Sequence, residues 1–137
     1  MTTQVLTARP QVSSSDRWAT GGRVLIAAIF VISGLSKLLA PAGTLAYIAS
    51  AGLPFPELAL AAAIAIELIG GVALAIGYRP RIVALVLAGF SIVTGLIFHS
   101  ALSDPNQFNH FFKNIAMAGG LIQVFAFGAG AISLDRD

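Results

Sequence analysis

The chain has 137 residues, of which 57% are hydrophobic and only 10% are charged, and its mean hydropathy is +0.88. Eight basic and six acidic residues cannot cover the surface of a soluble domain, since such domains carry charge on about a quarter of their residues. Disordered chains are polar, collagen has a regular glycine period and disulfide scaffolds need cysteine, so these classes are excluded as well. The composition therefore predicts an integral membrane protein.

The apolar stretches predict an all-α fold, an integral membrane four-helix bundle in residues 21–134. A helix needs roughly 20 apolar residues to cross the hydrocarbon core of a bilayer. Residues 1–20 fail this test because they contain Arg9, Asp16 and several serines, and they are predicted to form a flexible cytoplasmic tail. The four predicted transmembrane helices cover about residues 21–40, 57–77, 81–99 and 108–134.

Basic residues are unevenly distributed among the loops, and this bias predicts the orientation of the bundle. Six of the eight cations lie in the terminal regions or in the second connection: Arg9, Arg17, Arg23, Arg79, Arg81 and Arg136. Because Lys and Arg in short loops stay in the cytoplasm, both termini are predicted to be cytoplasmic. The loops at about 41–56 and 100–107 would then face the periplasm of a bacterial cytoplasmic (inner) membrane, which the chain crosses several times.

A set of polar residues falls in the outward-facing half of this bundle and forms the candidate ligand-binding pocket. At 1.5 Å per residue, Lys37 lies in the outer third of the first helix and Glu67 lies near the bilayer midplane. Each residue shares a helix face with small or polar neighbours, as Lys37 does with Ser33 and Gly34, so the set should meet inside the bundle. Its members are Lys37, Glu67, His99, His110, Lys113 and Asn114.

Two interpretations of this set remain open from the residues alone. A charge at membrane depth must be paired or neutralised, so Lys37 and Lys113 could enclose Glu67 in a purely structural Lys–Glu–Lys cluster. Intramembrane ionisable residues are also candidate functional sites by default. The net charge of +1 on these three residues favours an electron-rich ligand, such as a quinone carbonyl, a small oxyanion or a carboxylate of a partner protein. Two histidines without a nearby carboxylate or cysteine do not predict a metal site.

Small residues on the same faces are expected to let the helices approach one another closely, as glycine does in membrane helix pairs. The predicted packing positions are Gly34, Gly70, Gly71, Gly95, Gly119 and Gly120.

Four motifs occur in order along the predicted helices: G-x-x-K ending at Lys37, E-x-x-G-G beginning at Glu67, F-H ending at His99, and K-N at residues 113–114. Together, over about residues 23–122, they resemble the DoxX family of small bacterial inner-membrane proteins. The resemblance implies a membrane bundle and carries over Lys37, Glu67, Gly70, Gly71, His99, Lys113 and Asn114. It also implies a link to membrane redox complexes, because family members resemble subunits of terminal quinol oxidase and thiosulfate:quinone oxidoreductase, while others are linked to tolerance of oxidative stress or aromatic compounds.

We therefore expect an accessory subunit, or a component that binds a quinone or another small ligand, in a membrane oxidoreductase system. No flavin, nucleotide or redox-metal motif is present, so we expect no catalysis by this chain alone and no intrinsic cofactor, with a quinone as the candidate bound group. The expected partners are the lipid bilayer, a second copy of the chain, or a membrane or periplasmic redox protein, and not nucleic acid. A small solute transporter and an assembly or scaffold protein for membrane complexes are the alternatives.

Overall fold

The structure, a computed structural model, describes residues 11–135, and this part of the chain contains five α-helices and no strand. The helices are α1 (Ser14–Leu39), α2 (Pro41–Ser50), α3 (Pro56–Ile76), α4 (Pro80–Phe98) and α5 (Pro105–Phe127). The prediction of an all-α protein is confirmed.

Local sequence determines where each helix begins. The helices α2 to α5 each begin at a proline, whose missing N–H and fixed φ suit the first helical position. In front of α1, Ser13 Oγ accepts a hydrogen bond from the backbone N–H of Asp16 (3.2 Å), and Asp16 Oδ2 accepts one from the N–H of Ser13 (3.0 Å). This capping box starts α1 at Ser14, so the prediction of a flexible tail is wrong for residues 14–20, while residues 1–10 lie outside the described part.

The helix α2 lies within residues 41–56, which were predicted to be a loop. It has 10 residues, which is too few to cross a membrane, so a search for membrane spans does not reveal it. Its buried Ile48 faces the bundle, and α2 packs against α3 and α1. The connection is therefore a folded part of the protein and contributes to one end of the bundle.

The last helix ends earlier than predicted. Gly128 and Gly130 adopt positive φ values of 82° and 79°, which break the helix after Phe127 although the sequence stays apolar. The chain then folds back, and the N–H groups of Leu134 and Asp135 donate to the carbonyls of Ile76 (3.1 Å) and Gly77 (3.0 Å). The predicted fourth span, residues 108–134, is thus wrong at its C-terminal end.

Arg23 holds this returning segment in place. Arg23 is only 2% exposed as a residue, and its guanidinium donates to the carbonyl oxygens of Ala129 (2.7 Å), Ile132 (2.9 Å) and Ala75 (3.2 Å). Arg81 similarly donates to carbonyls near the C-terminal end of α5, at 3.1 and 3.2 Å. Arg23 and Arg81 therefore have a structural role besides their contribution to the charge bias of the loops, since they satisfy backbone carbonyls of the folded chain.

The outer surface of the helices is apolar, as a lipid environment requires. Three helices are long and apolar enough to cross a membrane, namely α1, α3 and α4. Large apolar side chains point away from the bundle on all three, for example Leu25, Ile69 (71% exposed) and Ile82. The helix α5 has 23 residues and is long enough, but its first turns carry polar side chains.

The helices pack as two close pairs, α1 with α3 and α4 with α5, whereas α1 and α5 contact each other only loosely. Glycines permit the close contacts: a Cβ atom at Gly34 would lie 2.9 Å from Leu68 Cγ, and one at Gly71 would lie 2.9 Å from Val31 Cγ2. Gly70, Gly95 and Gly120 also face neighbouring side chains. The predicted packing role is wrong for Gly119 alone among the six, because a Cβ there would meet nothing within 4 Å.

Replacement of Gly71 by alanine should separate α1 from α3. The new methyl group would press on both the side chain and the backbone nitrogen of Val31, so we expect a loss of about 1–3 kcal/mol in unfolding free energy. Gly119→Ala is the matched control, and it should be neutral or stabilising by up to about 1 kcal/mol because alanine is the better helix former. Thermal unfolding in detergent, followed by circular dichroism, measures both. Equal stability of the two variants would contradict the close approach at Gly71.

Candidate functional site

The centre of the candidate site is an ion pair between α1 and α3. Lys37 Nζ lies 2.9 Å from Oε2 and 3.0 Å from Oε1 of Glu67, whose side chain is buried. Ser33, one helical turn before Lys37, accepts a hydrogen bond from Nζ (2.6 Å) and donates one to Glu67 Oε1 (3.1 Å). Gly34 lies on the same face of α1 and lets α3 come close, since a Cβ atom added at Gly34 would lie only 3.0 Å from the Cβ of Glu67. The buried carboxylate is therefore neutralised and held by three hydrogen bonds from α1.

This pair forms one wall of a cavity of about 210 Å³ that all five helices line. A second, smaller cavity of about 80 Å³ adjoins it and extends past Phe30 and Met117. Besides the ion pair, the polar lining of the larger cavity consists of Ser33, Thr44, Tyr47, Thr94, His99, Lys113 and Asn114.

The opposite wall comes from α5, which contributes Lys113 and Asn114. Asn114 packs closely against α4 at Gly95, since a Cβ atom added at Gly95 would lie 3.3 Å from the Cβ of Asn114. Asn114 lines both cavities. Within residues 11–135, its carboxamide makes no hydrogen bond. Lys113 Nζ contacts Nδ1 of His110 at 3.2 Å and makes no ion pair with Glu67. Of the Lys–Glu–Lys cluster, which was one of the two interpretations left open by the sequence, the structure contains only the Lys37–Glu67 pair.

The two histidines, His99 and His110, stack on each other at the cavity. Their ring centroids are 5.1 Å apart, so they connect the end of α4 to the start of α5. His99 Nδ1 lies 2.8 Å from Oε1 of Gln107, and because an amide oxygen only accepts, Nδ1 carries the hydrogen and Nε2 is left as the basic nitrogen. His99 lines the cavity, whereas His110 is not part of the lining and contacts Lys113.

The structure thus brings five of the six predicted polar residues to one cavity and places the sixth, His110, beside it. The contribution of α2 to the cavity was not predicted, because residues 41–56 were expected to form a loop. Tyr47 OH donates to the carbonyl of Phe98 at 2.8 Å, and their rings lie 5.5 Å apart, which ties α2 to the end of α4. The spacing of Thr44, Tyr47 and Ile48 on one helical face is the signal that could have found α2.

Comparison with known proteins agrees with the architecture. Residues 19–100 match the DoxX family, a range that includes Lys37, Glu67 and His99. The chain is 35% identical over 114 residues to the inner membrane protein YqjF of Escherichia coli (strain K12), covering 83% of this chain and 86% of that protein.

A second relative from the same organism, the inner membrane protein YphA, is 33% identical over 120 residues, which cover 83% of this chain and 85% of that protein. No solved structure matches the chain. The chain belongs to the DoxX family and is a multi-pass protein of the inner membrane.

Proposed function

We propose that this protein is the ligand-binding component of a membrane redox system, and that its cavity holds a small electron-rich ligand such as the head group of a quinone. The observation that carries this proposal is the arrangement of charge across the cavity. One wall is the neutralised Lys37–Glu67 pair, and the opposite wall presents Lys113 and Asn114.

The charge balance favours an acceptor of hydrogen bonds. Lys37 and Glu67 cancel, so the positive charge of Lys113 is the net charge of the lining, and no carboxylate in residues 11–135 is within ion-pair distance of it. Lys113 and the carboxamide of Asn114 both donate hydrogen bonds. A ligand carbonyl between them would accept hydrogen bonds from both. The bond from Lys113 would be the stronger of the two, because its donor is charged.

The size of the cavity limits the ligand. Pockets for drug-sized molecules measure about 300–1,000 Å³. The value here, about 210 Å³ with a further 80 Å³ alongside, suits a single ring or a compact anion rather than a fused ring system.

The residues of this chain would bind and orient the ligand and manage its protons. Lys113 and Asn114 would polarise a carbonyl, Glu67 with Lys37 would supply a buried proton-exchanging pair, and His99 would pass protons between the cavity and its mouth through its free Nε2. Electrons would come from a partner, because the chain contains no cysteine and no redox-cofactor motif. We propose that this partner is a membrane or periplasmic oxidoreductase, which binds the protein alone or as a homo-oligomer.

The proposal includes a topology. The 23 residues of α5 extend about 35 Å, so α5 would form the fourth crossing and complete a four-helix bundle with α1, α3 and α4. Arg17, Arg23, Arg79 and Arg81 lie at the end opposite the cavity, which favours a cytoplasmic location for both termini. The cavity would then open toward the periplasm.

Titration of the purified protein with a short-chain benzoquinone tests the proposed ligand. Asn114→Ala should raise the Kd by about two- to tenfold, since it removes one hydrogen bond to the ligand. The matched control is Asn109→Ala, which changes an exposed asparagine of the same helix outside the cavity and should leave the Kd unchanged.

Two results would contradict the quinone proposal: no binding by the unmodified protein together with no quinone in an organic extract of it, or equal effects of the two asparagine variants. Solute flux in liposomes that is abolished by Glu67→Gln would favour the transporter instead.

A further inference from the structure

A second feature lies between α1 and α5, at the end of the bundle opposite the polar cavity. It is a groove of about 280 Å³ where the two helices contact each other loosely. Its lining includes Trp18, Gly22, Arg23 and Ile26 from α1, and Gln123 and Phe127 from α5. This groove shares no lining residue with the polar cavity.

The groove contains a buried positive charge for which residues 11–135 supply no counter-ion. Arg23 is 2% exposed, and an arginine stays protonated at every physiological pH. Its terminal nitrogens donate to uncharged carbonyls, its Nε has no hydrogen-bond partner, and no carboxylate in the described part of the chain lies within ion-pair distance. Because a buried charge is costly unless it is paired, the groove should favour an anion.

The other lining groups indicate that this anion is amphipathic. Trp18 is 81% exposed and lies five residues, or about 7.5 Å, before Arg23, which is typical of tryptophan at the head-group level of a bilayer. Gln123 is exposed and makes no hydrogen bond within residues 11–135, so its carboxamide is free to donate. Toward the bundle centre the lining is apolar, with Ile26 and Val124.

We propose that the groove binds an anionic phospholipid of the surrounding leaflet. The phosphate lies near Arg23 and Gln123, and an acyl chain runs from there toward the bundle centre against Ile26 and Val124. The exposed cation Arg17 lies about 9 Å from Arg23 along α1, toward the end of the bundle. A free phosphate ion would satisfy the charge but not the apolar walls, whereas a lipid satisfies both. This site is independent of the ligand proposed for the polar cavity.

The single tryptophan of the chain makes the groove directly observable, because all indole fluorescence comes from Trp18. The protein is reconstituted in vesicles of phosphatidylcholine that contain either brominated phosphatidylglycerol or an equal fraction of brominated phosphatidylcholine. Bromine quenches an indole in contact with it. We expect about fivefold preferential quenching by the anionic lipid, the selectivity that one basic residue near an anionic lipid provides.

Two glycine variants locate the effect. Gly22 and Gly21 are adjacent exposed glycines of α1, and a Cβ at either meets nothing within 4 Å, but only Gly22 lines the groove. Gly22→Leu should fill the groove and abolish the lipid preference, while Gly21→Leu should retain it. Arg23→Gln should also abolish it if that variant folds.

Three outcomes would overturn the proposal. Equal quenching by the two brominated lipids excludes selectivity for the anion, and equal behaviour of the Gly22 and Gly21 variants places the lipid elsewhere. Loss of the preference on addition of millimolar inorganic phosphate, at constant ionic strength, shows that the groove takes the free ion instead of the lipid.

Discussion

Replacement of Lys37 by methionine should destabilise the protein by about 3 kcal/mol. The change leaves the carboxylate of Glu67 buried without its cation, and breaking a buried ion pair at one partner costs about 3–5 kcal/mol. We expect the lower end of this range because the side chain of Lys37 is 22% exposed, that of Glu67 is 7% exposed, and protonation of Glu67 can relieve part of the cost.

A double-mutant cycle measures the coupling between the two residues. Glu67→Gln alone leaves Lys37 without its partner, while the double variant Lys37→Met with Glu67→Gln removes both charges and should regain part of the lost stability. The free energy of unfolding of each variant is measured in detergent by titration with a denaturing surfactant. Lys113→Met is the control, since Lys113 makes no ion pair with Glu67, and it should cost under about 1 kcal/mol. Additive single effects, or a loss at Lys113 as large as that at Lys37, would contradict the pairing.

Replacement of Arg23 by methionine should release the segment after α5. The substitution takes the donors away from the carbonyls of Ala75, Ala129 and Ile132, and each buried carbonyl left without a partner costs about 1–3 kcal/mol. We expect a total loss of about 3 kcal/mol, because water at the end of the bundle can satisfy some of these groups. The segment from residue 128 to residue 135 should then open locally without the rest of the bundle.

Hydrogen exchange of the backbone amides tests this role of Arg23. The N–H groups of Leu134 and Asp135, which donate to the end of α3, should lose protection in Arg23→Met. Arg17→Met is the control, since it removes the same charge from an exposed position of α1 and should leave the exchange rates unchanged. Unchanged protection in Arg23→Met would show that Arg23 does not hold the segment.

Much of the fold follows from sequence because the bilayer imposes strong rules. Span length and hydropathy place α1, α3 and α4, and helical phase brings Lys37 and Glu67 to one interface. The rest depends on tertiary detail. The short α2 carries no span signal, and the end of α5 depends on the backbone conformation of Gly128 and Gly130.

The partner of Lys113 illustrates why the site was only partly predictable. A lysine has a long flexible stem, so helical phase can place its Cα but cannot choose between two acceptors within its reach. In the structure Lys113 contacts His110, one helical turn away on its own helix, and leaves Glu67 to Lys37. Because Lys113 contacts His110 and not Glu67, the cavity keeps a charged wall and is not filled by a Lys–Glu–Lys cluster.

A high-resolution density map of the protein purified in lipid tests the existence of a ligand site most directly. We expect non-protein density in the cavity, within hydrogen-bond distance of Lys113 and Asn114, with the Lys37–Glu67 pair intact. A map in which Lys113 has moved onto Glu67, so that a Lys–Glu–Lys cluster fills the cavity, would contradict the proposed ligand site.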